Sequence, residues 1–245
     1  MTALRNMLFL AALAGLAVGA VMTVLQFFAT VPLILQAEAF ENAAPAEPAA
    51  AHDPAVAAVS AEHEHEHEAE EWAPADGFPR MAFTAIANLV TAVGFGLLLI
   101  AASESAGGIR GWREGLLWGL AGFATFTVAP GLGLPPELPA MPAAELAPRQ
   151  AWWIACVLLT GGGLALIAFG RSLPLAFVGC ALLVVPHLIG APQPASHASP
   201  IPESLHHSFV VAVTVTNLLF WLLLGYAVSV LRPRFALNTG QPRLA

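Results

Sequence analysis

The sequence predicts an all-α, polytopic membrane bundle of about six transmembrane helices with both termini cytoplasmic. Three observations carry that expectation. Of the 245 residues, 58% are hydrophobic and only 10% are charged. Apolar runs recur along the chain, and the arginines fall unevenly among the segments that join them. A soluble domain holds roughly 25% charged residues, so composition alone argues against an ordinary soluble enzyme. Residues 1–245 read as a single integral-membrane domain whose first partner is the lipid bilayer.

A helix needs about 20 apolar residues to cross the hydrocarbon core. That length selects residues 4–35, 81–102, 112–132, 152–169, 173–189 and 209–231. With a cytoplasmic N-terminus, Arg5, Arg110, Arg113, Arg171, Arg232, Arg234 and Arg243 lie inside, and only Arg80 and Arg149 lie outside. This asymmetry follows the positive-inside rule and requires an even number of spans. The first run follows Arg5 but exceeds the roughly 7 to 15 residues of a signal-peptide core, so it is expected to remain as a span.

The segment from 37 to 78 is expected to be a disordered outer loop, rich in Ala, Glu, Pro and His. The net charge of −7 is concentrated there, which favours cations over nucleic acid as partners. Within it stands Glu62-His-Glu-His-Glu-His-Glu68. In an extended chain His63, His65 and His67 share one face, and imidazole suits Co, Ni, Zn and Cu(II). This motif is expected to collect a metal ion rather than to form the transport site.

Within the spans, Gly111, Gly115 and Gly119 repeat at four residues, as do Gly15 and Gly19 in the first, which lets helix backbones approach closely. Gly161-Gly-Gly163 reads either as a kink or as another close contact. Cys156 and Cys180 fall in apolar runs at different depths, so packing rather than a disulfide is expected for both. No Asp, Glu, Lys, Arg or His lies mid-span, which disfavours an obligate proton relay and an intramembrane metalloenzyme.

Pro130-Gly-Leu-Gly-Leu-Pro-Pro-Glu-Leu-Pro-Ala-Met-Pro142 must end the third span, because proline removes a donor and disfavours helix before it. The stiff segment holds the Glu137 carboxylate at one outer helix end. All eight histidines fall on that outer side, among them His187, His206 and His207. Pro186-His187 at the end of the fifth span suggests a second fixed ligand, and Glu137 with His187 is the expected metal pair. A rigid loop and a structural histidine are the alternative reading of the same residues.

Pro130 to Pro139, Arg149-Gln-Ala-Trp-Trp153, Pro186-His-Leu-Ile-Gly-Ala-Pro192, Thr216-Asn-Leu-Leu-Phe-Trp221 with Gly225, and Pro32-Leu-Ile-Leu-Gln-Ala-Glu38 resemble the CbtA family of cobalt transporter subunits. The resemblance runs in order along nearly the whole chain. It implies cobalt uptake linked to cobalamin synthesis, and a small single-span, His-bearing CbtB-like partner. Ala140 stands where the family pattern leads one to expect glycine.

The resulting expectation is a multi-pass permease subunit of the bacterial inner membrane, not an enzyme, with no tightly bound cofactor and with Co²⁺ (or Ni²⁺ or Zn²⁺) as cargo. Glu137, His187, His63, His65, His67, His206 and His207 are its candidate metal residues. A metal exporter and a non-transporting metal sensor or scaffold are the rivals. No P-loop sequence is present in the chain, so energy must come from a partner or an ion gradient.

Overall fold

Each of the apolar runs folds as helix, and no strand occurs among the described residues. The computed structural model describes residues 2–43, 74–75 and 77–235. The helices are α1 (Thr2–Ala29), α2 (Val31–Ala43), α3 (Phe78–Ser105), α4 (Trp112–Phe123), a π-helical turn (Ala124–Val128), α5 (Ala129–Gly131), α6 (Leu146–Phe169), α7 (Leu173–Ile189) and α8 (Glu203–Leu231). A 3-10 turn (Arg232–Phe235) follows α8.

Among the described residues, four helices are long and apolar enough to cross a membrane: Ala3–Ala29, Phe78–Ser105, Leu146–Phe169 and Glu203–Phe235. The other two predicted spans are helical but differ from that pattern. α7 has only 17 residues. The 112–132 run is divided into α4, the π turn and α5. Large apolar side chains such as Leu8, Leu13, Leu158, Leu173 and Phe177 are exposed on the outer faces, as lipid-facing residues are.

Several predicted boundaries move, and α6 begins at Leu146 rather than at residue 152. The first run breaks at Thr30, because Pro32 at the start of α2 has no N–H to continue the ladder, while Thr30 O accepts from both Leu33 N and Ile34 N at 3.1 Å. The helix then resumes through Ala43, so residues 37–43 are helical rather than part of a disordered loop. Alanine and glutamate are strong helix formers, which the loop reading underweighted. Likewise α8 begins at Glu203, which brings His206 and His207 into its first turns.

The core is built where small residues let helices meet. Leu10, Ala14, Val18 and Met22 form one stripe of α1, buried with Ala92, Leu99 and Ile100 of α3 and Trp221, Leu224 and Val228 of α8. A Cβ at Gly15 would lie 2.6 Å from Val93 Cα. One at Gly115, Gly119 or Gly225 would strike the backbone between α4 and α8, whereas Gly111 meets nothing. α6 and α7 pair through Gly163 and Gly179, and α6 runs without a break, so the glycine triplet serves contact rather than a kink. Cys156 is buried and Cys180 is exposed, so only the first packs within the chain.

The two ends of the bundle differ in chemistry. At one, Asn6 Nδ2 donates to Phe235 O at 2.7 Å, and the Arg232 guanidinium donates to Glu104 Oε2 at 3.0 Å and to Ile109 O at 3.1 Å. At the other end, where α8 begins, lie the proline-rich segment, Arg80 and Arg149.

Candidate functional site

Pro130 shapes this end of the molecule. Ala129 N–H donates to Ala124 O, the i→i−5 pattern of the π turn, and Pro130 has no N–H with which to extend either register to Thr125 or Phe126. A π turn widens a helix locally and is frequent at functional sites. The chain then leaves α5 through Leu134 N, bonded to Pro130 O at 2.8 Å, and runs irregularly to α6. A Cβ at Gly133 would lie 2.9 Å from Trp152 Cζ2, so the loop rests against the start of α6.

Between this loop, the start of α6 and α8 lies a cavity of about 1020 Å³. Glu137 and Arg149 are the charged residues lining it; Thr127, Gln150, Thr214 and Asn217 supply neutral polar groups, and Phe126 and Trp153 supply rings. Arg149 Nη2 donates to Glu137 Oε2 at 2.8 Å. Their side chains retain 27% and 25% of their exposure, so the pair is reachable by solvent.

His206 stands at the edge of this site. Its Nε2 lies 3.1 Å from Pro136 O, the carbonyl immediately before Glu137. A carbonyl only accepts, so Nε2 carries the hydrogen, and in the neutral ring Nδ1 keeps its lone pair. His187 is held differently. Its ring packs edge-on against Trp152 with centroids 6.2 Å apart, while Trp152 Nε1 donates to Pro186 O at 3.2 Å. His187 is not among the residues lining the cavity, and the recorded contacts tie Glu137 to Arg149 and neighbour it with His206.

His207 is exposed on α8. His63, His65 and His67 lie outside the described residues. Among the described residues no three His, Cys, Asp or Glu side chains converge closely enough to hold a metal ion. The described residues thus offer an ion one carboxylate, already paired with Arg149, and neutral oxygens, and they do not form a cage that would replace a metal's whole hydration shell.

A second ion pair stabilises the same end. Arg80 Nη1 donates to Glu38 Oε2 at 3.0 Å, joining α3 to α2. That hydrogen bond holds the Glu38 carboxyl below its ordinary value, against a smaller opposing effect of burial. Ala37, next to Glu38, is buried with Leu138, Ile201 and Phe209, so α2 leans on the proline-rich loop and on α8.

Segments far apart in sequence thus meet at one place: the end of α2, the loop carrying Glu137, Arg149 to Trp153, Pro186 to Ala191, and Asn217. The family model that matches the chain is described as "Probable cobalt transporter subunit (CbtA)" and covers residues 4–232. The chain belongs to the CbtA family. No curated protein and no solved structure matches it. CbtA is described as a transporter subunit, which implies a partner subunit, and with its apolar helices this makes the chain a multi-pass membrane protein.

Sequence reasoning missed two features of this CbtA site. Arg149 enters the sequence reading as an outer charge and as part of a family motif, not as an ion-pair partner, although an arginine in so apolar a chain needs a carboxylate nearby, and Glu137 is 12 residues away. The His206 contact spans 70 residues and left no local signal.

Proposed function

We propose that this CbtA chain is a six-span permease subunit of the bacterial inner membrane that takes up a divalent transition metal, cobalt foremost, for cobalamin synthesis. Both termini are cytoplasmic, and residues 1–245 form one domain. The partner is a single-span, His-bearing CbtB-like subunit. The cavity that carries the Glu137 carboxylate among neutral polar groups, in a family described as a cobalt transporter subunit, is the observation on which this reading rests.

The cargo is Co²⁺, with Ni²⁺ or Zn²⁺ as competitors of similar ligand preference. His63, His65 and His67 raise its concentration at the surface, helped by His207. Glu137 then binds it at the mouth, where His206, beside the Pro136 carbonyl, offers a nearby imidazole, and His187, held against Trp152 outside the cavity lining, serves as a further ligand on the outer side. Irregular backbone lining a cavity is how broken-helix transporters build ion sites, and the π turn and Pro130 supply that feature here. Six spans draw support from α7, a shorter apolar helix, and from the α4–α5 segment, which is helical although interrupted.

Direction is tested by growth. A strain lacking the chain is expected to starve at limiting cobalt and to be rescued by added cobalt or by cobalamin. Sensitivity to excess cobalt, with normal growth at limiting cobalt, would make the chain an exporter instead.

A further inference from the structure

We propose that Arg149 is a tethered cation that occupies the Glu137 carboxylate whenever cargo does not, so that guanidinium and metal exchange at one carboxylate. The inference rests on the assignment of Glu137 as a cargo ligand and adds a mechanism of release. Arg149 Nη2 reaches Glu137 Oε2 at 2.8 Å, and both side chains line the same cavity of about 1020 Å³. The other polar residues lining it, Thr127, Gln150, Thr214 and Asn217, are neutral. A divalent ion and a guanidinium on one carboxylate repel each other, so a bound metal displaces the arginine.

Displacement is open to an incoming ion because both side chains line the cavity and keep about a quarter of their exposure, 27% and 25%. Pairs of this kind shift an equilibrium by less than about fivefold. In the empty state Arg149 keeps the carboxylate from standing uncompensated at a membrane edge. Its return helps expel the ion. Arg149 therefore lowers affinity and raises turnover.

The test uses the purified full-length chain in detergent, with Co²⁺ binding followed by equilibrium dialysis. Arg149→Gln is expected to bind Co²⁺ about threefold tighter, Arg149→Lys to stay near wild type, and Glu137→Gln/Arg149→Gln to match Glu137→Gln alone. In reconstituted vesicles Arg149→Gln lowers KM and maximal rate together, whereas a purely structural arginine would raise KM. A measurement on the unmodified chain guards against a variant that fails to fold: Co²⁺ should speed phenylglyoxal modification of Arg149, read by mass spectrometry of its peptide. Unchanged or weaker Co²⁺ binding in folded Arg149→Gln, or protection of Arg149 by Co²⁺, overturns the proposal. Wild-type Co²⁺ binding by Glu137→Gln would instead remove the ligand assignment beneath it.

Discussion

Arg149 Nη2 and Glu137 Oε2 stand 2.8 Å apart, joining the first turn of α6 to a loop that packing and prolines already hold. Because the pair keeps about a quarter of its exposure, it adds little to stability. Glu137→Gln should cost about 1 kcal/mol or less in thermal unfolding in detergent. A loss above about 3 kcal/mol would make Glu137 a structural element first.

Ala140 lies at φ 63, the left-handed region in which a side chain is strained. Glycine there removes about 1 to 2 kcal/mol of strain and gives back part of it through the freer unfolded chain. Ala140→Gly is therefore expected to stabilise the protein by up to about 1 kcal/mol, seen as a raised Tm. A lowered Tm would mean that the Ala140 methyl group, packed beside Leu138 and Ile201, outweighs the strain.

Gly225 faces Gly115 so closely that a side chain on either would meet the other's carbonyl. Backbone cannot yield as a flexible side chain does. Gly225→Val should cost at least about 2 kcal/mol by forcing α4 from α8. A Tm equal to wild type would show that the two helices do not pack this tightly.

Pro130→Ala restores a backbone donor just past the π turn, so the turn can relax toward α-helical register and shift Phe126 and Thr127 in the cavity wall. Stability should hold or rise slightly. Cobalt uptake should fall on the order of tenfold, because small displacements of binding groups are costly. Unchanged uptake would separate the π turn from transport.

The Glu38 carboxyl is held below its ordinary value chiefly by its hydrogen bond from Arg80. Its stabilising contribution is therefore full above the unfolded-state value and is lost as pH falls through the lower folded-state value. The pair is partly exposed, so the effect is about 0.5 kcal/mol after screening. Glu38→Gln should flatten the acid limb of a Tm-versus-pH curve and leave the neutral region slightly lower.

The helical bundle was legible because apolar runs of spanning length have few other solutions, and all six predicted runs are helical. The glycine contacts of Gly15, Gly19, Gly115 and Gly119 were legible in their spacing, although Gly111, which shares that spacing, meets nothing. The π turn did not, since Pro130 announces a broken ladder without saying which register absorbs it. Glu137 was legible as a carboxylate fixed by prolines. Its partner was not, because a preference for one imidazole and one carboxylate favoured His187, while the nearest opposite charge was Arg149. The His206 contact depends on how α8 packs over the loop, which no local pattern encodes.

The central claim is that Glu137 holds the metal at the mouth of a permease. It is tested most directly by uptake of radioactive Co²⁺ into vesicles containing the full chain and its partner subunit, wild type against Glu137→Gln. At limiting cobalt the variant should take up at least about tenfold less while its Tm stays within a few degrees of wild type. Wild-type uptake by a folded Glu137→Gln protein would contradict the account.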